Sequence, residues 1–493
     1  MHIGHSTDHR HHLASKWRNY STAPGPPPGL PPGPSPPLTA PSPHAIVTPI
    51  LRQERPMPED PIAQEYRRLT PKSRKVWERT GKYIAGGLSS TGSMVPYPTY
   101  IVRAEGPYLY DADGRRITDF MNGSMGLPLG HNPPAVRKAL QEQIKNGMFY
   151  TLASVYEERL AKLICGRIPS VEKVRFAPTG SEATMFALRI ARAFTGRGKI
   201  AKMDGGYHGN HDVAWIGLGK NYLRDPQQTA AGLMPGTAES VVRLQFNHTE
   251  ECERLITRHK DELAAVIVEP VLGGGGCITP IPGFLEMLRE VTKRHGIILI
   301  FDEMISLPLS KGGAQKHYGV IPDMTTAGKS AGGGIPFGFF GGREDLMALT
   351  APGPSGERPI VNHVATYSGH PLAMVAGAAA LEAMTPAVYK YIHSLGEMVR
   401  SEMRALFARM ELPIKVTGVG HMFCYHWSEA DVWDWQTSAA ARADLSGKLG
   451  MALFNKGYFA RGRGIVTAAT KPAHVKGLIT AMEGALVETG LAG

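Results

Sequence analysis

Two side chains in one stretch of the chain are set up for chemistry. Asp302 follows the apolar run Ile297-Ile298-Leu299-Ile300-Phe301, where a strand buried on both faces would run out. Lys329 stands among small residues in Thr325-Thr326-Ala327-Gly328-Lys329-Ser330-Ala331, just ahead of Gly332-Gly333-Gly334. A carboxylate at the end of a buried strand is costly unless it is paired. A lysine amine is protonated near neutral pH, and condensation with a carbonyl removes that obstacle. An acid that keeps a ring nitrogen protonated, plus an amine that condenses with an aldehyde, is what pyridoxal phosphate (PLP) requires of a protein. Taken singly, each residue has a plainer reading: an acid at a solvated loop start, and a surface lysine.

Other clusters would supply the rest of such a site. Thr179-Gly180-Ser181-Glu182 reads as a helix start, with Thr179 as cap and Glu182 at the capping-box offset. Free N–H groups there, with Gly180 and the hydroxyl of Ser181, can hold a phosphate. An ordinary capped helix is the alternative. Tyr207, before His208 and after two glycines, could lay its ring on a flat cofactor, or simply pack. Thr366 in His363-Val364-Ala365-Thr366-Tyr367-Ser368-Gly369 could offer a hydroxyl to phosphate, or be a plain strand threonine. Gly273 to Gly276 is not a nucleotide loop, because no Lys-Ser/Thr follows it. Asp111-Ala112-Asp113-Gly114 reads as a hairpin turn, since the remaining ligands of a calcium loop are missing.

The elements that must position these residues alternate. Strands are expected at Val174–Phe176, Lys199–Met203, Ala264–Val268 and Ile297–Phe301, with a helix over Ser181–Phe194. This is the pattern of an α/β fold with a mostly parallel central sheet. In such sheets ligands sit beyond the carboxyl ends of the strands. The proposed strands end in Thr179-Gly180-Ser181, Gly205-Gly206-Tyr207-His208, Glu269 and Asp302, and that convergence says more than any one motif. Upstream, the spacing predicts a Gly/Ser-rich loop over Ile84–Ser93, a strand over Thr99–Val102, a hairpin at Leu109–Arg115, and helices over Ala135–Lys145 and Glu157–Cys165. After Pro386 come a helix over Tyr391–Met410, short strands near Ile414–Val416 and Met422–Tyr425, a helix over Leu445–Phe454, and Ile465-Val466. The expected organisation is a disordered Pro/His-rich arm (1–55), a segment contributing to the small domain (56–115), a large domain (116–385) and a smaller α+β domain (386–493).

Composition narrows the partners. The chain has 493 residues, 42% hydrophobic and 20% charged, enough for a sizeable core. No run of about 18 apolar residues suggests a transmembrane helix, so no membrane partner is expected. The net charge is +11, but Lys and Arg are scattered and no nucleic-acid motif is present. A basic protein attracting small anionic ligands is the reading, with no nucleic-acid partner. Cys165, Cys252, Cys277 and Cys424 lie far apart without metal spacing, so free thiols and no metal are expected. The expected compartment is the cytoplasm, although the acid-poor, Arg- and Ser-containing start leaves an organelle address open.

Together the motifs Thr179-Gly180-Ser181-Glu182-Ala183, Gly206-Tyr207-His208-Gly209, Val268-Glu269-Pro270, Phe301-Asp302-Glu303 and Thr325-Thr326-Ala327-Gly328-Lys329 resemble the class III, ornithine-aminotransferase-like PLP enzymes. Within that class the chain is most similar to the branch of glutamate-1-semialdehyde aminomutases and β-amino-acid aminotransferases. The resemblance implies a fold-type I homodimer with active sites at the subunit interface. It casts Lys329 as the Schiff-base lysine and Asp302 as partner of the pyridine nitrogen. Gly180 and Ser181 would hold the phosphate, Tyr207 would stack on the ring, and Thr366 would reach the other subunit's phosphate. Arg463 matches a family arginine that can bind a carboxylate, and Glu269 and Ser90 are assigned to the substrate side. The implied activity is transfer of an amino group between an amino acid or amine, including β-amino acids, and an oxo acid. A 2,1-aminomutase or racemase is the alternative. Two departures bear on the substrate: the loop Gly87-Leu88-Ser89-Ser90-Thr91 carries no arginine, and Met304 stands where relatives usually have valine.

Overall fold

Leu263–Val268 and Ile298–Asp302 are buried along their whole length in the computed structural model, as continuous apolar runs should be. The structure describes residues 60–89, 96–218, 232–353 and 355–491. The arm of residues 1–55 and Ser90 lie outside the described residues.

Strands β1 (Ile101–Glu105), β2 (Tyr108–Asp111) and β3 (Arg116–Asp119) form an antiparallel ladder. The central sheet follows, built from β4 (Lys173–Ala177), β5 (Lys199–Met203), β6 (Val241–Leu244), β7 (Leu263–Val268), β8 (Ile298–Asp302), β9 (Met324–Gly328) and β10 (Gly338–Gly342). Their spatial order is β4-β10-β9-β8-β7-β5-β6. The run from β9 to β6 is parallel, and β10 is antiparallel to both of its neighbours. A smaller antiparallel sheet joins β11 (Ile414–Thr417), β12 (Met422–Trp427) and β14 (Arg463–Ile465), while β13 (Tyr458–Phe459) pairs in parallel with β3.

The strands expected from the sequence are present, with ends moved by up to three residues. The first begins at Ile101, not Thr99. At the hairpin only Gly114 takes a positive φ, of 88°. The Asp111 carboxylate holds that turn by accepting from the N–H groups of Asp113 and Arg115, at 3.1 and 2.8 Å. Strands β6, β9 and β10 escape the sequence reading. β6 is four residues with a charge inside it, and β10 reads Gly-Phe-Phe-Gly-Gly. Those glycines are needed because β10 is wedged close to its neighbours: a Cβ at Gly338 would fall on the Thr179 backbone.

The two ends of the described chain share one core. Ile62 and Phe120 pack in a cluster with Leu449, Leu453 and Met482. Asn455 Nδ2 donates to the Ile62 carbonyl at 2.9 Å. The helices Pro371–Ala383 and Pro386–Arg409 meet at a bend of 75°. No single helix among the described residues is long and apolar enough to cross a membrane. The four cysteines are free thiols, with Cys252, Cys277 and Cys424 buried.

One buried charge stands out in the sheet. Lys202 on β5 is fully buried, and its ammonium donates to the Ile216 carbonyl at 2.6 Å. Desolvation pushes its pKa down to about 8, against the counteracting pull of Asp204 and Glu269. Between pH 8 and the ordinary lysine value of 10.5 the unfolded chain therefore binds more protons than the folded one. Its contribution to stability is greatest above the unfolded value and is lost as pH falls through about 8. Urea unfolding of the wild type and Lys202→Met at several pH values should show the wild type gaining on the variant above pH 8, by no more than about 1.4 kcal/mol per pH unit. A pH-independent difference would contradict this.

Candidate active site

The carboxyl ends of β7, β8 and β9 bring Glu269, Asp302 and Lys329 into one cleft. Asp302 is the last residue of β8 and is 1% exposed. Its Oδ1 accepts from the Met304 N–H at 3.2 Å, and its Oδ2 lies 2.8 Å from His208 Nδ1. His208 is itself buried, and its Nε2 has no hydrogen-bond partner among the described residues. The next acid, Glu303, is structural: it accepts from Gln315 Nε2 at 3.0 Å and from the Ala314 and Gln315 N–H groups, tying down the short helix Gly313–Tyr318.

Glu269 follows β7 and accepts from two backbone N–H groups, those of Tyr207 at 2.9 Å and Gly273 at 3.1 Å. Burial raises its pKa, offset by His208 and Lys329 and reinforced by Asp302. Lys329 lies deep in the cleft, and desolvation lowers its pKa while Glu269 and Asp302 pull the other way. The three groups thus lie within electrostatic reach of one another. Their balance makes a neutral lysine amine more accessible than on a surface.

The backbone around Lys329 is tightly built. Lys329 opens a 3-10 turn, Lys329–Gly332, directly after β9, and its own φ is +40°. A non-glycine residue in that region is strained and is held there by its surroundings. One neighbour is the helix Pro371–Ala383, whose small side chains let it approach: a Cβ at Gly377 would strike the Ala331 carbonyl. The other is an unusual turn. Asn122, Gly123, Ser124 and Met125 all have positive φ, at 40°, 62°, 57° and 65°, making one left-handed helical turn. The turn is closed by Met125 N to Met121 O at 2.6 Å and Gly126 N to Asn122 O at 3.0 Å. Asp119 anchors it by accepting from the Met121 and Asn122 N–H groups at 2.7 and 3.0 Å. The Ser124 carbonyl then accepts from Lys329 Nζ at 3.2 Å.

Opposite Lys329, helix Gly180–Thr195 points its amino end at the cleft. The Thr179 hydroxyl caps it by accepting from Glu182 N at 3.2 Å. Loop Gly205–Asn210 closes over that end. Ser181 Oγ accepts from Asn210 N at 3.2 Å, and Thr184 Oγ1 donates to the His208 carbonyl at 2.6 Å. Gly209 has a φ of 105°, and a Cβ there would fall on Ser181. Tyr207 is 46% exposed, with its hydroxyl 3.1 Å from Asn210 Oδ1. Met304 lies against Gly180 and Gly328.

A cavity of about 410 Å³ opens beside the Gly274–Gly276 loop, which begins against Tyr207. Arg463, on β14, lines it and donates from Nη1 to the Gly274 carbonyl at 2.6 Å. The structure therefore gathers Lys329, Asp302, Glu269, Tyr207, Gly180, Ser181 and Arg463 around one cleft. It does not bring Thr366 there within the chain. Thr366 is exposed, and its neighbours Ala365 and Ser368 line a different cavity, with Glu157 and Arg175. The sequence reading missed His208 as the partner of Asp302 and missed the left-handed turn. The Asn-Gly pair at 122–123 was the one local sign of the turn.

Gly123 takes its φ of 62° without the side-chain cost that Asn122, Ser124 and Met125 bear in the same turn. Gly123→Ala should lower the unfolding free energy by about 1–2 kcal/mol, the penalty of a left-handed L-residue. Thermal or urea unfolding reads it, and an unchanged midpoint would speak against the turn.

Comparison with known proteins agrees with this layout. A sequence profile described as Aminotransferase class-III matches residues 89–455. The chain is 40% identical over 381 residues to a glutamate-1-semialdehyde 2,1-aminomutase of Thermomicrobium roseum, covering 76% of this chain and 87% of that one. Among solved structures it is similar to an omega-transaminase from Sphaerobacter thermophilus, with TM-score 0.80, 34% identity, and coverage of 85% and 98% of the two chains. It is similar also to a β-phenylalanine aminotransferase from Variovorax paradoxus, with TM-score 0.79, 33% identity, and coverage of 87% and 97%.

Proposed function

The chain belongs to the class-III aminotransferase family, and on that premise we propose that it exchanges an amino group between an amino acid or amine and an oxo acid. The family's fold-type I architecture and its cofactor, pyridoxal phosphate, come with that membership. The residues present fit the cofactor: a lysine amine with a lowered pKa, a buried carboxylate 2.8 Å from a histidine, and a helix amino end with a glycine and a hydroxyl face one cleft. When bound, PLP supplies an aldehyde that takes up the amino group and a ring that draws electron density from the carbon bearing it.

The chain's own residues do the rest. Lys329 would hold the cofactor through its aldehyde, and its amine would move a proton at the reacting carbon, as base and then as acid. The Ser124 carbonyl aims that amine. Asp302 holds a proton on the ring nitrogen, and His208 holds Asp302. Tyr207 covers the ring, while Gly180 and Ser181 bind the phosphate. Arg463 binds a substrate carboxylate. Glu269, held by two N–H groups, lies on the substrate side.

The reading also includes a homodimer. Leu152 and Val155 are 84% and 81% exposed, and Phe149 lies 5.3 Å from the exposed Tyr367. Thr366 is exposed beside Tyr367, which supports the reading that it meets a second subunit and that subunit's phosphate.

The observation that carries the proposal is the amine of Lys329, which donates to the Ser124 carbonyl and feels the charges of Glu269 and Asp302. Borohydride reduction of the holoenzyme followed by peptide mapping should mark Lys329, and Lys329→Ala should abolish turnover. A mark on another peptide would overturn the assignment. A second reading, an intramolecular aminomutase, is favoured by the identity of 40% to the aminomutase relative. A panel of amino donors with and without oxo acids separates the two, since conversion of a single substrate with no acceptor would reject the transaminase.

A further inference from the structure

The turn that carries Ser124 has no local reason to run left-handed. Asn122, Ser124 and Met125 all bear side chains, and each is disfavoured at its φ of 40°, 57° or 65°. A group outside the turn must therefore hold it, and that group is the carboxylate of Asp119, the last residue of β3. Its Oδ1 is occupied by the Met121 and Asn122 N–H groups. Its Oδ2 is met by His131 Nε2 at 2.8 Å. A carboxylate oxygen accepts, so Nε2 carries the proton of this contact.

His131 is fixed independently of the turn. Its N–H donates to the Gly106 carbonyl at 2.8 Å, and its carbonyl accepts from the Gly106 N–H at 3.0 Å. The approach is close: a Cβ at Gly130 would fall on the Gly106 carbonyl. The imidazole is thus delivered from the link between β1 and β2, and it is mostly buried together with Asp119. On its far side the turn is hooked to β14, because Asn122 Nδ2 donates to the Asp119 carbonyl at 2.8 Å and reaches the Ile465 carbonyl at 3.4 Å.

We propose that His131 is a positioning residue for Lys329: by holding Asp119 it keeps the turn left-handed, and so keeps the Ser124 carbonyl against the lysine amine. It acts through Asp119 and Ser124, not on the reacting atoms. Without the imidazole, Oδ2 is a buried acceptor that has lost its donor, and the carboxylate can rotate away from the turn. The turn then relaxes, and the Ser124 carbonyl leaves Nζ. An ammonium that loses an acceptor holds its proton less firmly. Glu269, Asp302 and Arg463 also act on that amine, and none of them is altered by the loss. The catalytic meaning rests on the amino-transfer reading, but the placement of the amine can be measured without turnover.

The test takes two readouts from the full chain. In the first, cofactor-free protein is mixed with PLP and the growth of the visible band is followed across pH. Only the neutral amine adds to the aldehyde, so the midpoint reports the proton on Lys329. His131→Leu should move that midpoint down by about half to one pH unit, the scale of one hydrogen bond. In the second, amino transfer by the holoenzyme, His131→Leu should lower kcat by about tenfold or more with little change in KM for the donor, since the displaced amine moves the proton and does not bind the donor. His131→Gln, whose amide nitrogen can reproduce the donor to Asp119, should recover most of both losses. His131→Asn, which is too short to reach, serves as the disrupting variant if the leucine protein does not fold. An unmoved midpoint in a folded disrupting variant would overturn the proposal, as would a glutamine variant that behaves like the leucine one. A shifted midpoint in a protein whose wild type performs no amino transfer upholds the positioning of the amine and removes the proposed reaction.

Discussion

A lysine amine can be kept deep in a protein cleft only if something accepts its protons and nothing bulky crowds its backbone. Both demands converge on residue 329. The acceptor is the Ser124 carbonyl, which reaches the amine because four successive residues run left-handed. Space comes from Gly126 on one side and from the small side chains of helix Pro371–Ala383 on the other. Lys329 itself adopts a positive φ under this pressure. Strain of this kind needs a rigid surrounding, and the turn is pinned by Asp119, which His131 Nε2 contacts in turn at 2.8 Å.

Three buried acids line up after the neighbouring strands, and each is satisfied differently. Glu303 is consumed by a helix start and is structural. Glu269 accepts from two loop N–H groups, which fixes the loops carrying Tyr207 and Gly273. Asp302 meets a histidine and one N–H, and it is the acid nearest in kind to what a cationic ring nitrogen would need. Burial without such partners would cost several kcal/mol apiece, on the order of the protein's whole stability. The polar cleft is therefore part of what holds the loops together.

The cleft is not the work of one region. β14 contributes Arg463 from the far end of the chain, and the left-handed turn comes from the stretch just after β3. The core shared by Ile62, Phe120 and Leu453 holds these distant segments in register.

The residue types alone were enough to mark Asp302, Lys329, Gly180 and Ser181, because burial of a strand and the opening of a helix are local events with local patterns. They also indicated the α/β class, since period and apolar run length are read within a few residues. They did not reveal β10, whose glycines oppose strand formation and make sense only beside Thr179 and Val171. Nor did they reveal that Asp302 leans on His208, a contact across 94 positions. The left-handed turn and the contact of Asp119 with His131 likewise depend on which backbones meet. Hydrogen-bond partners and shared cavities are properties of proximity in space, and only the folded chain sets that proximity.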